Sequence, residues 1–335
     1  MLYNEAMLLL YYLIAVNLAA FILYGADKSY AKKNKRRIPE RNLLFWAWIG
    51  GSLGAFLGMR IFHHKTKKPK FAIPVPILAV LEVICIVFCL FQNYHLTVTD
   101  YDVDLDLGHD LKIVQVSDLH NQIFGIKESI LISKIEQLDP DIIVVTGDVV
   151  DKVHTSYDIA LDFFEGATKI APVYYITGNH ENILQGSKKD AFMEDIRALG
   201  VIFLDDTFIE NDDYILAGVS NASVNKTLTS IDTFEAYAPF DDSKPVILLT
   251  HKPQFTEFYD YLGSDLVLAG HYHGGQIILP GGHALISPEV EFFPEMYEGL
   301  NDINGMKLIL SRGLGNSVFP VRINNYPELV VVNVH

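Results

Sequence analysis

The chain has 335 residues, half of them hydrophobic, a positive mean hydropathy and a net charge of −15, which is more length than one typical domain needs. The charge is uneven: residues 1–95 hold twelve Lys and Arg against four Asp and Glu, a net of +8, while the remainder nets −23. An acidic second part excludes the basic stripe that nucleic-acid binding requires, and two cysteines, Cys85 and Cys89, both inside an apolar run, exclude a disulfide framework and a thiolate metal site.

Three apolar runs come first. Met7–Tyr24, broken only by Asn17, is long enough to span a bilayer, and without a basic segment before it reads as an uncleaved anchor rather than a signal peptide. Phe71–Phe91, with Glu82 in its middle and Pro74 and Pro76 near its start, reads as a second span. Leu43–Phe62 between them either spans or re-enters, because Gly50-Gly51 near its centre can break it into two short half-helices. The loop before this run carries Lys28, Lys32, Lys33, Lys35, Arg36, Arg37 and Arg41, and the loop after it carries Arg60, Lys65, Lys67, Lys68 and Lys70. Short basic loops stay cytoplasmic, so a re-entrant hairpin is favoured, and it places everything after Phe91 outside. Glu82 reads as a paired or neutral carboxyl facing the bundle.

A helical membrane domain over 1–94 is therefore expected to precede a soluble domain over 95–335. In the latter, 95–106 alternates like an edge strand. Strands are predicted at Lys112–Val116, Asp141–Thr146 and Val173–Thr177, alternating with helices at Glu128–Leu138, Tyr157–Ala167 and Lys189–Leu199. The second half reads as strands: Val201–Leu204, Tyr214–Val219, Val246–Thr250, Leu266–Ala269, Gln276–Leu279, Lys307–Ser311 and Glu328–Asn333. This pattern is α/β with a mixed sheet.

Five of these strands end in polar bursts: Asp118-Leu119-His120, Gly147-Asp148, Gly178-Asn179-His180-Glu181, His251 and Gly270-His271-Tyr272-His273. Ligands of open α/β sheets bind beyond the carboxyl ends of strands, so five bursts can meet at one place. Asp118 and His120, like His271 and His273, are two residues apart and would point to one face of an extended segment. Asp, His and the Asn amide oxygen suit borderline divalent ions; Mn is the first expectation, with Fe, Zn or Co as alternatives. Any one of these residues alone reads as a cap or a surface group, whereas the ordered set at strand ends reads as a metal site.

The motifs Val116-Ser117-Asp118-Leu119-His120, Thr146-Gly147-Asp148-Val149-Val150-Asp151, Gly178-Asn179-His180-Glu181, Thr250-His251-Lys252-Pro253, Gly270-His271-Tyr272-His273-Gly274-Gly275-Gln276 and Ser311-Arg312-Gly313-Leu314-Gly315 resemble the calcineurin-like metallophosphoesterases, in particular the membrane-anchored bacterial branch of YkuE and YaeI. Residues 5–92, through Tyr24-Gly25-Ala26-Asp27-Lys28, Arg37-Ile38-Pro39-Glu40, Gly50-Gly51, Gly54 and His64-Lys65-Thr66, resemble a family of small bacterial membrane proteins of unknown function. The first resemblance implies a four-layer sandwich of two mixed β-sheets flanked by helices. It implies one metal on Asp118, His120, Asp148 and His273 and a second on Asp148, Asn179, His251 and His271. His180 would be a non-ligand beside the phosphate, acting with Asn179. Such a pair of cations clamps a phosphoryl group and lowers the pKa of a shared water, which would make the chain a multi-pass membrane phosphodiesterase or pyrophosphatase with its catalytic domain outside the cytoplasm. Its partners would be the lipid bilayer and a phosphate ester that could be lipid-linked, with no nucleic acid. The competing readings are a UDP-2,3-diacylglucosamine-type lipid-nucleotide pyrophosphatase and a metal-binding regulatory pseudoenzyme coupled to the membrane domain. Tyr272, standing where a small residue is commoner, raises the question of a narrowed pocket.

Overall fold

The computed structural model describes residues 5–153, 155–221, 240, 243–288, 290–316 and 322–335, with side chains from residue 11 onward. The chain divides into two compact units, Met1–Phe91 and Gln92–His335.

The first unit is helical: α1 Glu5–Lys32, α2 Glu40–Trp46, α3 Ser52–Ile61, α4 Pro69–Ala72 and α5 Pro74–Tyr94, the last reaching three residues into the second unit. Residues 7–10 of the first apolar run lie outside the residues whose side chains are described. The stretches Glu40–Ile61 and Pro69–Tyr94 are long and apolar enough to cross a membrane by length and composition. On α5 the side chains of Ile77, Val80, Ile84, Val87 and Phe91 stand exposed. Pro74 begins this helix, where its missing N–H costs nothing, and Phe71 falls on the short α4 instead.

The middle run is not one straight helix. Between α2 and α3 the backbone leaves helical geometry at Ile49 and at Gly50, whose φ of 99° disfavours any side chain. The chain reverses there. Gly51 lies against Val16 and Ala20, Gly54 against the Asn17 carbonyl, and Gly58 against Phe21 and Tyr24, so α3 runs alongside α1 in the same direction. Both ends of the hairpin thereby reach Asp27. This buried carboxylate accepts from the Ile38 N–H and Arg37, lies 2.7 Å from His64 Nε2 and sits 3.5 Å from Lys65 Nζ. The hairpin tip is pinned by Glu82 of α5. Its carboxylate accepts from the N–H groups of Ser52 and Leu53, which α3 leaves unpaired at its start, and from Ser52 Oγ and Asn17 Nδ2.

The second unit begins with β1 Thr97–Val103, β2 Leu111–Val116, α6 Ser129–Leu138, β3 Ile142–Val145, α7 Tyr157–Ala167, β4 Val173–Tyr175, α8 Asn179–Ile183, α9 Ser187–Ala198, β5 Ile202–Phe203, β6 Thr207–Glu210 and β7 Ile215–Val219. It continues with β8 Val246–Thr250, α10 Thr256–Tyr261, β9 Leu266–Ala269, β10 Ile278–Leu279, β11 His283–Ala284, β12 Gly299–Ile303, β13 Met306–Leu310 and β14 Glu328–Val334. Two six-stranded mixed sheets form, ordered β1-β14-β2-β3-β4-β5 and β12-β13-β9-β8-β7-β6.

The strand period of two sorts each central strand into two buried faces. Ile113, Val144 and Val332 meet Leu216, Leu249 and Leu268 between the sheets. Val114, Val145 and Val173 turn outward against Leu131, Phe163, Phe164 and Ile196 of the helices. On the other side, Ala217, Leu248 and Val267 pack on Phe258 and Tyr259. The result is helix, sheet, sheet, helix. Strands β6 and β12 had no counterpart in the sequence reading because both are polar, half-exposed edge strands.

Candidate metal centre

Parallel strands β2, β3 and β4 of one sheet and β8 and β9 of the other direct their carboxyl ends to one place. There Asp118, His120, Asp148, His180, His251, His271 and His273 are all buried. Three groups of donor atoms lie within 4.8 Å of one another: Asp118, His120 and His273; His120, Asp148 and His180; and Asp148, His251 and His271. Asp148 belongs to two of them. Its Oδ2 stands 3.2 Å from His251 Nε2, 3.5 Å from His120 Nε2 and 3.9 Å from His180 Nε2. Asn179 joins through its Oδ1, 3.0 Å from His251 Nε2. All eight residues singled out in the sequence come together.

The expected reason for the two-residue spacing is corrected. Asp118 and His120 are not on an extended segment. Strand β2 ends at Val116, and both residues have left-handed φ, 52° and 45°; Asp148, His271 and His273 do too, at 52°, 70° and 48°. Non-glycine residues in this region cost of order 1–3 kcal/mol each and gather where the surroundings over-determine them. The surroundings here are backbone hydrogen bonds and one close approach. Glu181 is buried and unnoticed in the sequence as a support. It accepts the N–H groups of Asp148, Gly178 and Val150, tying the β3 and β4 loops together. Asp148 Oδ1 accepts the His180 N–H, and Asp118 accepts the His271 N–H and the Ser117 hydroxyl. A Cβ on Gly270 would fall 2.3 Å from Asp118 Oδ2, so only glycine fits there.

The ring orientations follow from the outer partners. His251 Nδ1 is 2.8 Å from the Thr146 carbonyl and His273 Nδ1 is 3.2 Å from the Gly315 carbonyl, so each donates there and keeps a bare Nε2 toward the centre. Arg322, fully buried, holds the Gly315 and Arg312 carbonyls, and Asn325 Nδ2 holds that of His273. No sequence signal pointed to Arg322 or Asn325, which act through backbone oxygens, Arg322 on carbonyls 7 and 10 positions away and Asn325 on one 52 positions away. His180 is the opposite case. Its Nδ1 accepts the Lys152 N–H, so the proton of the neutral ring lies on Nε2, facing Asp148. That tautomer suits a donor and opposes ligation, although distance alone would admit His180 to the second group.

Electrostatics agree with a site built for positive charge. Around His251 Nε2 stand Asn179 Oδ1, Asp148 Oδ2 and His271 Nδ1, at 3.0, 3.2 and 3.2 Å. The Asn179 and Asp148 oxygens are acceptors converging on this nitrogen, an arrangement that calls for a proton or a cation among them. Burial alone would lower His251, but Asp148 outweighs it and lifts the ring to about 9. Burial would raise Asp118, and His273 and His120 outweigh it and hold it well below the usual range. His120, buried, has no hydrogen-bond partner at either ring nitrogen among the described residues. Burial draws His180 down to about 4, which keeps it neutral. The donors are therefore a fit for divalent cations: oxygens and imidazoles, no thiolate, and an orphaned ring. Tyr272 does not narrow the pocket, since it is buried in the core behind the second sheet with Phe258 and Tyr259.

Residues 111–275 match the family described as calcineurin-like phosphoesterase, and residues 17–71 match a protein family of unknown function, DUF1294. The chain is 28% identical over 253 residues to an uncharacterized metallophosphoesterase of Aquifex aeolicus, covering 72% of this chain and 93% of that one. It is 26% identical over 241 residues to the phosphodiesterase YaeI of Escherichia coli, covering 68% and 84%. The N-terminal part is 44% identical over 80 residues to the uncharacterized protein YsdA of Bacillus subtilis, covering 24% of this chain and 90% of that one.

Proposed function

Since this chain belongs to the calcineurin-like metallophosphoesterases, with a DUF1294 domain ahead of the catalytic one, we propose that it is a membrane-anchored phosphodiesterase with two metals. Asp118, His120, Asp148 and His273 would hold one cation, and Asp148, Asn179, His251 and His271 the other. The observation that carries this is the convergence of the Asn179 and Asp148 oxygens on Nε2 of His251, with Asp148 Oδ2 shared between two donor groups. When bound, two such cations supply Lewis-acid polarisation of the phosphoryl group and make a water acidic enough to attack near neutral pH.

The chain's own residues would do the rest. Asp148 fixes the spacing of the centre, and Glu181 fixes Asp148. Asn179 orients the phosphoryl oxygens. His180 presents Nε2–H to the departing oxygen and is kept neutral by burial. Purified full-length protein should hydrolyse a chromogenic phosphodiester with Mn, and with Fe, Co, Ni or Zn to differing extents. No hydrolysis with any of the five, in protein that binds the metal, would overturn the reading.

The membrane side of the proposal rests on the hairpin. Each arm is about ten residues, so about 15 Å, half of a ~30 Å hydrocarbon core. Both basic loops meet at the Asp27 end and would stay in the cytoplasm. With α1 and α5 as the two spans, the catalytic unit would then lie outside. An alkaline phosphatase fusion after Tyr94 should be active, while activity of a cytoplasmic fluorescent reporter there would overturn this topology.

A further inference from the structure

Ten large apolar side chains of the second unit are more than half exposed among the described residues; three are Tyr94 of α5, Ile130 of α6 and Phe208 of β6, and the other seven lie on four connections. These are the β2–α6, β3–α7, β4–α9 and β9–β12 connections, which carry the metal-centre residues or continue from them. Scattered exposed aliphatics are ordinary on a protein surface; a set gathered mostly on the loops around one site is not. Ile123 stands three residues after His120, Val153 two after Asp151, and Ile183 three after His180. Ile126 is 87% exposed. Phe292 and Phe293 sit on a hairpin whose Ala284 and Ile286 pack against Gly275, two residues from His273.

These side chains are held outward by built loops. In the β2–α6 connection Phe124 is buried, and its N–H is bonded by the buried carboxylate of Glu128 while its carbonyl accepts the Ile130 N–H. Lys127 and Glu128 both take left-handed φ, 53° and 56°, to make that turn. Phe124 inward leaves Ile123 and Ile126 outward. Near Val153, Asp151 accepts the Val153 N–H and, on its carbonyl, the Thr155 hydroxyl. These connections are poor in cations as well, and Arg312 of the adjoining 311–316 loop is already paired with Glu328. The segments 117–130, 146–156, 176–186, 250–255 and 270–298 contain no arginine and only Lys127, Lys152 and Lys252. Lys127 is already 3.8 Å from Asp162. A substrate with several phosphates or a nucleic acid would find few partners here.

We propose that this rim receives hydrocarbon, so that the substrate is an amphiphilic phosphodiester whose phosphate enters the centre while an alkyl or acyl chain lies across Ile123, Ile126, Val153 and Ile183. The inference rests on the phosphoesterase reading and names its substrate class. The test uses the full chain in nanodiscs with Mn and two probes, 4-nitrophenyl ethyl phosphate and 4-nitrophenyl dodecyl phosphate, below the micelle concentration of the latter. In each, water adds to phosphorus, the bond from phosphorus to the nitrophenyl oxygen breaks, and 4-nitrophenol and the alkyl phosphate are released.

The dodecyl ester should have the higher kcat/KM. In the I126S/I183S double variant the ratio of dodecyl to ethyl kcat/KM should fall about tenfold, through KM, because each isoleucine covers apolar surface that serine does not. Both positions are exposed, so folding is not at stake, and circular dichroism checks it. Equal kcat/KM for the two probes overturns the inference. So does a dodecyl preference that survives in the double variant, which would assign the preference to partition into the bilayer and leave the rim for a protein or membrane surface. Absence of hydrolysis of both probes would instead sink the phosphoesterase reading beneath it.

Discussion

Two polar clusters, a half-buried one in the first unit and a buried one in the second, differ in how their demands are met. At the hairpin tip, Glu82 accepts two backbone N–H groups, the Ser52 hydroxyl and the Asn17 amide. Asn17 also donates to the Leu13 and Gly50 carbonyls and accepts the Gly54 N–H. Each group has a partner within the protein. At the carboxyl ends of the catalytic strands, by contrast, His120 has no hydrogen-bond partner among the described residues, and the Asp148 and Asn179 oxygens crowd His251. A satisfied cluster fixes a shape; an unsatisfied one waits for a ligand. Substitutions should therefore act on stability in the first and on metal and rate in the second.

The largest effect is expected from Asp148→Asn. It weakens both proposed cation sites at once, so metal content by elemental analysis and hydrolysis should both fall to background, well beyond the about 10–100-fold that losing an outer partner costs. Retention of two metals per chain would break the assignment. Next comes His180→Ala, which should keep the metal and lose about 10²-fold in kcat, as removal of a proton donor does. Equal metal loss in the two variants would make His180 a ligand after all, as its 3.9 Å approach to Asp148 would then explain.

The same contrast decides what the sequence could reveal. Side-chain identity at strand ends is visible in a sequence, so the gathering of Asp118, His120, Asp148, Asn179, His251, His271 and His273 at one place was legible, and their role as ligands is the proposal. Their backbone was not. The left-handed φ of Asp118 and His120 is imposed by bonds to distant partners, and the two-residue spacing suggested an extended segment instead. Supports acting through main-chain oxygens, such as Arg322 on Gly315, leave no local pattern. In the first unit, Gly50-Gly51 announced a break, but nothing nearby announced that Glu82, some thirty residues on, would cap the helix after it. Strands β6 and β12 stayed hidden because edge strands need no apolar face on both sides.

A smaller effect is expected at the satisfied cluster. Glu82→Ala strands the Ser52 and Leu53 N–H groups and the Asn17 amide, at about 1 kcal/mol each, the low end of the cost of an unpaired donor because these groups are only part-buried. Thermal unfolding of the full chain in detergent should show the first unit melting earlier, with Mn content and kcat unchanged. Loss of metal in this variant would mean the two clusters are not independent, and the contrast would fail.

The smallest effect tests a carboxylate that serves the catalytic unit without belonging to its centre. Glu128 is buried, and burial lifts it to about 7 despite the Phe124 N–H it accepts. An acid whose folded pKa lies above its unfolded value binds more protons when folded. Stability is then full below about 4.5, declines as pH rises toward 7, and stays at its lower value above that. Glu128→Gln removes the charge and keeps an oxygen for the Phe124 N–H. Its Tm should exceed that of the unsubstituted protein by a few degrees at pH 8, roughly what 1–2 kcal/mol gives in a unit of this size, and the difference should vanish by pH 4.5. A gain that is the same at both pH values would show that the substitution acts through packing, and a loss at pH 8 would show that the carboxylate's two bonds to Phe124 outweigh the burial of its charge.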